Sequence, residues 1–96
     1  MSKLTIVADI HVNPDHLEAV QAGFRKIIAA TLKEAGCLQY DLHRDNEDPF
    51  HFLFYENWES RELWLDHMES AHIKEFQAAT DGMIDNVALY EMTHQE

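Results

Sequence analysis

The stretch that decides the fold is residues 50–58, which read Phe50-His51-Phe52-Leu53-Phe54-Tyr55-Glu56-Asn57-Trp58. Aromatic residues favour strands because their side chains pack well on a pleated surface. Successive side chains of a strand point to opposite faces, so the phenylalanines and Trp58 would share one face, with Leu53 and Tyr55 on the other. The stretch therefore predicts a strand that is apolar on both of its faces.

Upstream of this stretch, the pattern predicts a strand, a helix and a second strand. Residues 4–12 alternate between apolar and other side chains, as a strand does. Asn13-Pro14 is typical of a helix start, since Asn caps free backbone N–H groups and Pro tolerates the first helical position. Apolar residues then recur every three or four positions until Gly36, which suits a helix C-terminal cap. Residues 38–44 follow as the second strand.

Downstream, two short helices and a final strand are predicted. Ser60 and Ser70 can each cap a helix, and the second helix would end near Gly82. Residues 86–93 form the last strand. The order βαββαβ predicts a single α+β domain over residues 1–96 with a ferredoxin-like fold and a four-stranded antiparallel sheet.

A sheet of this kind is covered by helices on one face only. Here the other face would expose Val7, Leu53, Tyr55 and Tyr90, an apolar patch of the kind that marks an interface. Burial of apolar area contributes about 25 cal/mol per Å². We therefore expect a symmetric homodimer in which two such faces pack together, forming a dimeric α+β barrel.

Composition excludes several classes of function. The chain has 18 acidic residues against 7 Lys and Arg, a net charge of -11, which disfavours nucleic acids and anionic membranes as partners. With the one cysteine, Cys37, no intrachain disulfide is possible, which fits a reducing cytoplasm. No signal peptide or membrane span is expected.

The residues that could carry chemistry cluster in residues 58–72. His67 and His72 follow one another across the junction of the two short helices, where a neutral imidazole could move protons near neutral pH. They could equally be structural, hydrogen-bonded histidines. Trp58 and Trp64 could line a pocket for a planar ligand, or simply pack in the core. Glu56 could offer a carboxylate inside the fold.

Cofactor and metal signals are weak. The three glycines are isolated, so there is no phosphate-binding loop. Glu69 and His72 are spaced i, i+3 and could touch a metal, but known di-iron sites need two such pairs and further carboxylates. We predict neither a cofactor nor a metal ion.

The segment Tyr55-Glu56-Asn57-Trp58-Glu59-Ser60, followed by Leu63, His67 and Ser70-Ala71-His72, resembles the antibiotic biosynthesis monooxygenase family, in particular its small quinol-monooxygenase-like members. The resemblance includes Ala8-Asp9-Ile10, Asn13-Pro14 and residues 33–37. It implies a dimer of ferredoxin-like units with a pocket between sheet and helices. It also implies oxygenation of a small aromatic or quinol-type molecule by dioxygen without metal or flavin.

Within this resemblance, His67 is the candidate for proton handling, and His72, Trp58 and Trp64 would shape the pocket as substrate-binding residues. Haem-degrading relatives carry Asn, Trp and His where this chain has Ala8, His67 and Gln77, which disfavours haem. Two alternatives stay open. One is isomerisation of a small hydroxyketone or of its phosphate, for which Lys74 and Arg61 are the nearby cations. The other is a non-catalytic ligand-binding module of a stress response.

Overall fold

The computed structural model describes residues 3–96 and shows four strands, three α-helices and a single-turn 3₁₀ helix. Along the chain these are β1 (Leu4–Val12), the 3₁₀ helix (Pro14–His16), α1 (Leu17–Thr31), β2 (Cys37–Arg44), β3 (His51–Trp58), α2 (Arg61–Met68), α3 (Ala71–Ala79) and β4 (Ile84–Met92). The predicted ferredoxin-like α+β fold is confirmed. No helix among the described residues is long and apolar enough to cross a membrane.

The strands form one antiparallel sheet in the order β2-β3-β1-β4. The register pairs Ile6 and Tyr40 with Glu56 on either side, and His11 with His51 at one end of the β1–β3 ladder. Because β1 and β3 are the two inner strands, each has a hydrogen-bonded neighbour on both edges. These two strands are therefore the most firmly held part of the fold.

Side-chain caps begin the helices where the sequence predicts. The Asn13 side chain accepts a hydrogen bond from the Asp15 amide at the start of the 3₁₀ helix. The Ser60 hydroxyl accepts one from the amide of Leu63, and the Ser70 hydroxyl accepts one from the amide of Ile73. Each cap satisfies a backbone N–H that has no partner within its own helix. Ser60 lies between β3 and α2, and Ser70 lies at the corner between α2 and α3.

One face of the sheet packs against the helices and forms the core. Alternate residues of β1 are buried there, together with Phe52, Phe54 and Trp58 of β3. From α1, Phe24 reaches this face and packs edge-on against Phe52 and Phe54, with ring centroids 5.3 Å apart in both cases. Edge-to-face contacts of this kind add to the stabilisation from burial.

In the described part of the chain, residues 3–96, no helix covers the opposite side of the sheet, which we call the open face. Its apolar members are Val7, Leu53, Tyr55, Ala88, Tyr90 and Met92, and its polar end carries Asp9, His11 and His51. Tyr90 and Met92 are each 47% exposed. The shortest dimension of the molecule is 18 Å, the thickness of one sheet and one helix layer. The apolar second face that the sequence predicts is therefore present and uncovered in a single chain.

Candidate active site

A cavity of about 360 Å³ lies between the helices and the sheet. Its walls come from every layer of the fold, and most of its surface is apolar, with side chains such as Ile10, Ile27, Phe54 and Ile73. It reaches β4, where its wall residues Val87 and Leu89 are about half exposed. Its volume falls within the range of about 300–1,000 Å³ that is usual for small-molecule sites. The cavity can therefore take a small, mainly apolar molecule.

His67 projects from the last turn of α2 into the wall of this cavity and is 2% exposed. Its Nδ1 donates a hydrogen bond to Glu34 Oε2 at 2.6 Å. His72, in the first turn of α3, donates from Nε2 to the same oxygen at 2.9 Å. Glu34 lies in the connection between α1 and β2, so this one carboxylate joins three parts of the fold.

This geometry fixes the proton on the His67 ring. A carboxylate can only accept a hydrogen bond, so Nδ1 carries the proton. No residue among 3–96 bonds to the other ring nitrogen, Nε2. Burial lowers the pKa of His67 below its ordinary value of 6.5, although the bond to Glu34 acts in the opposite direction. At neutral pH the ring is therefore uncharged, and Nε2 offers a lone pair.

The corner between α2 and α3 holds this ring in place. The Ser70 hydroxyl, which caps α3, also donates to the backbone carbonyl oxygen of His67 at 2.6 Å. The His67 ring packs against Trp58 and Tyr40, with centroid distances of 4.7 and 5.5 Å. The side chain is thus restrained at its backbone, at Nδ1 and on its faces.

Glu56 brings a second titratable group to the cavity. It is 4% exposed, lies in the middle of β3 and accepts a hydrogen bond from Trp58 Nε1 at 3.0 Å. Desolvation raises the pKa of Glu56 from 4.5 to about 7, with the Trp58 bond acting against the shift. No lysine or arginine among the described residues pairs with it. A carboxyl group that can both accept and release a proton near neutral pH therefore lines the cavity.

Tyr40 on β2 is the neighbour of Glu56 in the sheet and also lines the cavity. Burial raises the pKa of its phenol well above the ordinary value of 10, with the nearby Glu56 carboxylate acting in the same direction. Tyr40 thus stays protonated and can donate a hydrogen bond to a ligand oxygen. Together with Glu56 and His67 it gives the apolar cavity one polar wall.

The four residues singled out from the sequence are not all at the cavity. His67 and Trp64 line it. His72 is joined to His67 through Glu34 and borders a separate groove between α1 and α3. Trp58 does not line the cavity; it is fully buried behind it and supports Glu56 and the His67 ring. Trp58 is the last residue of β3 and its side chain is completely buried in the core. It therefore does not contact the cavity, although the sequence predicted that it would.

Glu69 and His72, whose i, i+3 spacing was considered for a metal, do not come together. Glu69 points to solvent and pairs with Lys74 at 3.5 Å, whereas His72 turns to Glu34. The two candidate cations for a phosphate are also away from the cavity. Arg61 pairs on the surface with Glu91 at 2.7 Å, and Lys74 is exposed. No lysine or arginine among residues 3–96 lines the cavity, so a phosphate group in it would have no cationic side chain beside it.

Sequence reasoning missed two of the polar groups. Glu34 lies in a turn, 33 residues before His67 and 38 before His72, and no local pattern marks it as their partner. Tyr40 could have been found, because the alternation of β2 places it on the same face as Leu42. Glu56, which the sequence suggested as a carboxylate inside the fold, shares the parity of Phe52, Phe54 and Trp58 and is buried with them.

Comparison with known proteins agrees with this architecture. The family model for antibiotic biosynthesis monooxygenase (ABM) matches residues 3–79. Among relatives, the probable quinol monooxygenase YgiN of Escherichia coli strain K12 is 32% identical, over 82% of this chain and 86% of YgiN.

Solved structures give the same result. PA3566 from Pseudomonas aeruginosa superposes with a TM-score of 0.94 at 31% identity, covering 100% of this chain and 97% of that one. A further crystal structure, of an antibiotic biosynthesis monooxygenase, gives a TM-score of 0.91 at 26% identity and covers 97% and 99% of the two chains. The chain is therefore a member of the antibiotic biosynthesis monooxygenase family.

Proposed function

We propose that this protein is a cofactor-independent monooxygenase that oxygenates a small phenol or quinol in the cavity beside His67. The observation that carries the proposal is the hydrogen-bonded pair Glu34–His67, which leaves Nε2 of a neutral imidazole free at an apolar cavity. The family, and the relative named as a probable quinol monooxygenase, support this class of reaction.

The first step of the proposed reaction is removal of a phenolic proton by His67 Nε2. Glu34 stabilises the imidazolium that results, because it already accepts the Nδ1 proton. The deprotonated substrate is electron-rich enough to transfer electrons to dioxygen. The apolar walls keep water away from the reduced-oxygen intermediate.

The overall chemistry balances without an external reductant. A hydroquinone and dioxygen give a hydroxyquinone and water: one oxygen atom enters a C–H bond and the other leaves as water. The substrate supplies all four electrons, two from the C–H bond and two from oxidation of the ring to a quinone. Tyr40 and Glu56 would bind the substrate oxygens at the polar wall, while Trp64 packs against the ring.

We further propose that the working molecule is a homodimer joined through the open face. The support is the exposure of Tyr55, Tyr90 and Met92 on the face of the sheet that no helix among residues 3–96 covers. Apolar patches of this kind on small proteins are usually interfaces. In that dimer each cavity would remain on the outer, helix-covered side of its own sheet.

The test measures oxygen consumption with a panel of hydroquinones and electron-rich phenols. Since a general base contributes about 10²- to 10⁴-fold in rate, His67→Gln should lower kcat by at least about 10²-fold. The acid limb of the pH–rate profile should lie below pH 6.5, because burial lowers the pKa of His67. Under ¹⁸O₂ one labelled atom should appear in the quinone product.

His94→Gln is the matched control, since His94 is an exposed imidazole beyond β4 that does not line the cavity, and it should retain wild-type turnover. Undiminished kcat in His67→Gln would contradict the assignment of the base. Hydrogen peroxide in place of labelled product would show an oxidase instead. Product formation without oxygen would indicate isomerisation, and saturable binding without any chemical change would indicate a ligand-binding module.

A further inference from the structure

The polar end of the open face gathers three potential metal ligands. One ligand atom each from Asp9, His11 and His51 lies within 4.8 Å of the others. His51 Nε2 is 2.7 Å from Asp9 Oδ1, and His11 Nε2 is 3.5 Å from the same oxygen. The cluster lies on the opposite side of the sheet from the cavity, so it takes no part in the proposed reaction.

Strand geometry holds these ligands rigidly. Asp9 and His11 are two residues apart on β1 and thus point to the same face. His51 is paired with His11 across the β1–β3 ladder, where side chains stand next to each other. Since β1 and β3 are the inner strands, the backbone beneath all three ligands is fixed on both sides. Sites built on such elements hold their geometry better than sites on loops.

Asp45 supplies the outer contact that metal-binding histidines commonly have. His51 Nδ1 donates to Asp45 Oδ2 at 2.8 Å. This bond orients the ring, so that Nε2, which donates to Asp9 Oδ1 at 2.7 Å, can bind an ion that displaces its proton. A carboxylate behind a ligating imidazole is the arrangement seen repeatedly around zinc, where it also raises the basicity of the ligand.

His11 is the one ligand of the three whose ring would have to turn to bind an ion. The His11 and His51 rings stack with centroids 4.2 Å apart and planes 2° from parallel. His11 Nε2 is too far from Asp9 for a good hydrogen bond, and no other described residue bonds to it. The His11 side chain is 45% exposed, so its ring can turn toward Asp9 and complete a coordination sphere.

We propose that Asp9, His11 and His51 form a binding site for a Zn²⁺-type transition-metal ion, with Asp45 orienting His51 and water filling the remaining position. Two imidazole nitrogens and one carboxylate oxygen suit Zn²⁺ and its neighbours. Mg²⁺ and Ca²⁺ prefer sites made entirely of oxygen ligands, so they should not compete. The bound ion would link β1 to β3 at the polar end of the open face.

The test is calorimetric titration of the untagged, chelator-treated protein with ZnCl₂, and with MgCl₂ for comparison. We expect Zn²⁺ to bind at this site with one equivalent per chain and Mg²⁺ not to bind. His11→Gln and Asp9→Asn each remove a ligand. Each should weaken Zn²⁺ binding at this site by more than Asp45→Asn does. Asp45→Asn should weaken it about 10- to 100-fold, as loss of an outer-shell partner commonly does.

The control is the second cluster that could hold an ion, Glu34, His67 and His72. His72→Gln changes that cluster and should leave the binding of Zn²⁺ at Asp9, His11 and His51 unchanged. Because His11 is half exposed, its replacement should not unfold the chain, and urea unfolding without metal checks this. The proposal is overturned if the wild type binds no Zn²⁺ at micromolar concentration, if His11→Gln and Asp9→Asn titrate like the wild type, or if His72→Gln alone abolishes binding.

Discussion

Glu56 is a buried carboxyl group that pairs with no lysine or arginine of residues 3–96. Its pKa is raised to about 7, against 4.5 for an exposed glutamate, so between these values the folded state holds a proton that the unfolded state releases. The free energy of unfolding therefore falls as the pH rises through this interval and levels off above pH 7. The loss amounts to about 3 kcal/mol.

Replacing Glu56 with Gln should remove most of this pH dependence. The amide oxygen can still accept the bond from Trp58 Nε1, and no charge is buried at high pH. We expect Glu56→Gln to be more stable than the wild type at pH 8, by about 2–3 kcal/mol, and nearly equal to it at pH 5. Urea unfolding at both values measures the difference.

Glu59→Gln, at an exposed position three residues along the chain, serves as the control and should follow the wild type at both pH values. A Glu56→Gln variant that loses stability between pH 5 and 8 as steeply as the wild type would show that another group is responsible.

The residues of the site differ in how far the sequence reveals them. His67 and Trp64 were found because they lie close together on one short helix beside a capping serine. Glu34, which determines the tautomer of His67, comes from a turn, and tertiary packing alone brings it to the ring. The Asp9–His11–His51 cluster is likewise invisible as a motif, because its third member belongs to another strand.

At the scale of elements, the connection from α1 to β2 depends on Gly36. Its φ of +87° is a left-handed conformation that costs a residue with a Cβ about 1–2 kcal/mol. A Cβ there would also lie 2.8 Å from Leu63 Cβ and collide with Leu63 Cδ1, on α2. Gly36 therefore allows both the turn and the close approach of α2, which carries His67.

Gly82 separates these two effects. Its φ is +77°, but a Cβ there would meet nothing within 4 Å. Gly82→Ala should therefore cost about 1–2 kcal/mol from backbone strain alone. Gly36→Ala should cost more, because Leu63 must also move. Thermal and urea unfolding of the two variants give the comparison, and equal losses would contradict a packing role for Gly36.

The elements themselves were largely predictable, because their signals are local. Alternation gives β1 over residues 4–12, as the structure has it, and the serine caps place α2 and α3 to within one residue of their observed starts. The ends of β3 and β4 differ by one or two residues: Phe50 lies in the turn before β3, and β4 begins at Ile84 instead of Asn86. Strand ends depend on partners across the sheet, which a local pattern does not contain.

At the scale of the whole molecule, charge and apolar surface act in opposite directions on association. A net charge of -11 on 96 residues makes two copies repel each other over long range, and salt screens this repulsion. The apolar part of the open face favours contact. If the proposed homodimer forms through this face, raising the salt concentration should strengthen it.

Tyr90→Lys tests the face directly. Tyr90 lies on β4 beside Val7, is 47% exposed and would be buried in the proposed interface. A buried lysine without a partner is strongly unfavourable, so the variant should sediment as a monomer at micromolar concentration while the wild type sediments as a dimer. The substitution also makes the net charge less negative, so a monomer could not be attributed to greater repulsion between copies.

Leu32→Lys is the control, because it makes the same charge change away from the open face. Leu32 is an apolar residue just beyond α1 and is 57% exposed, so this variant should remain dimeric. A wild-type protein that is monomeric, or a Tyr90→Lys variant that stays dimeric, would show that the open face is not the interface.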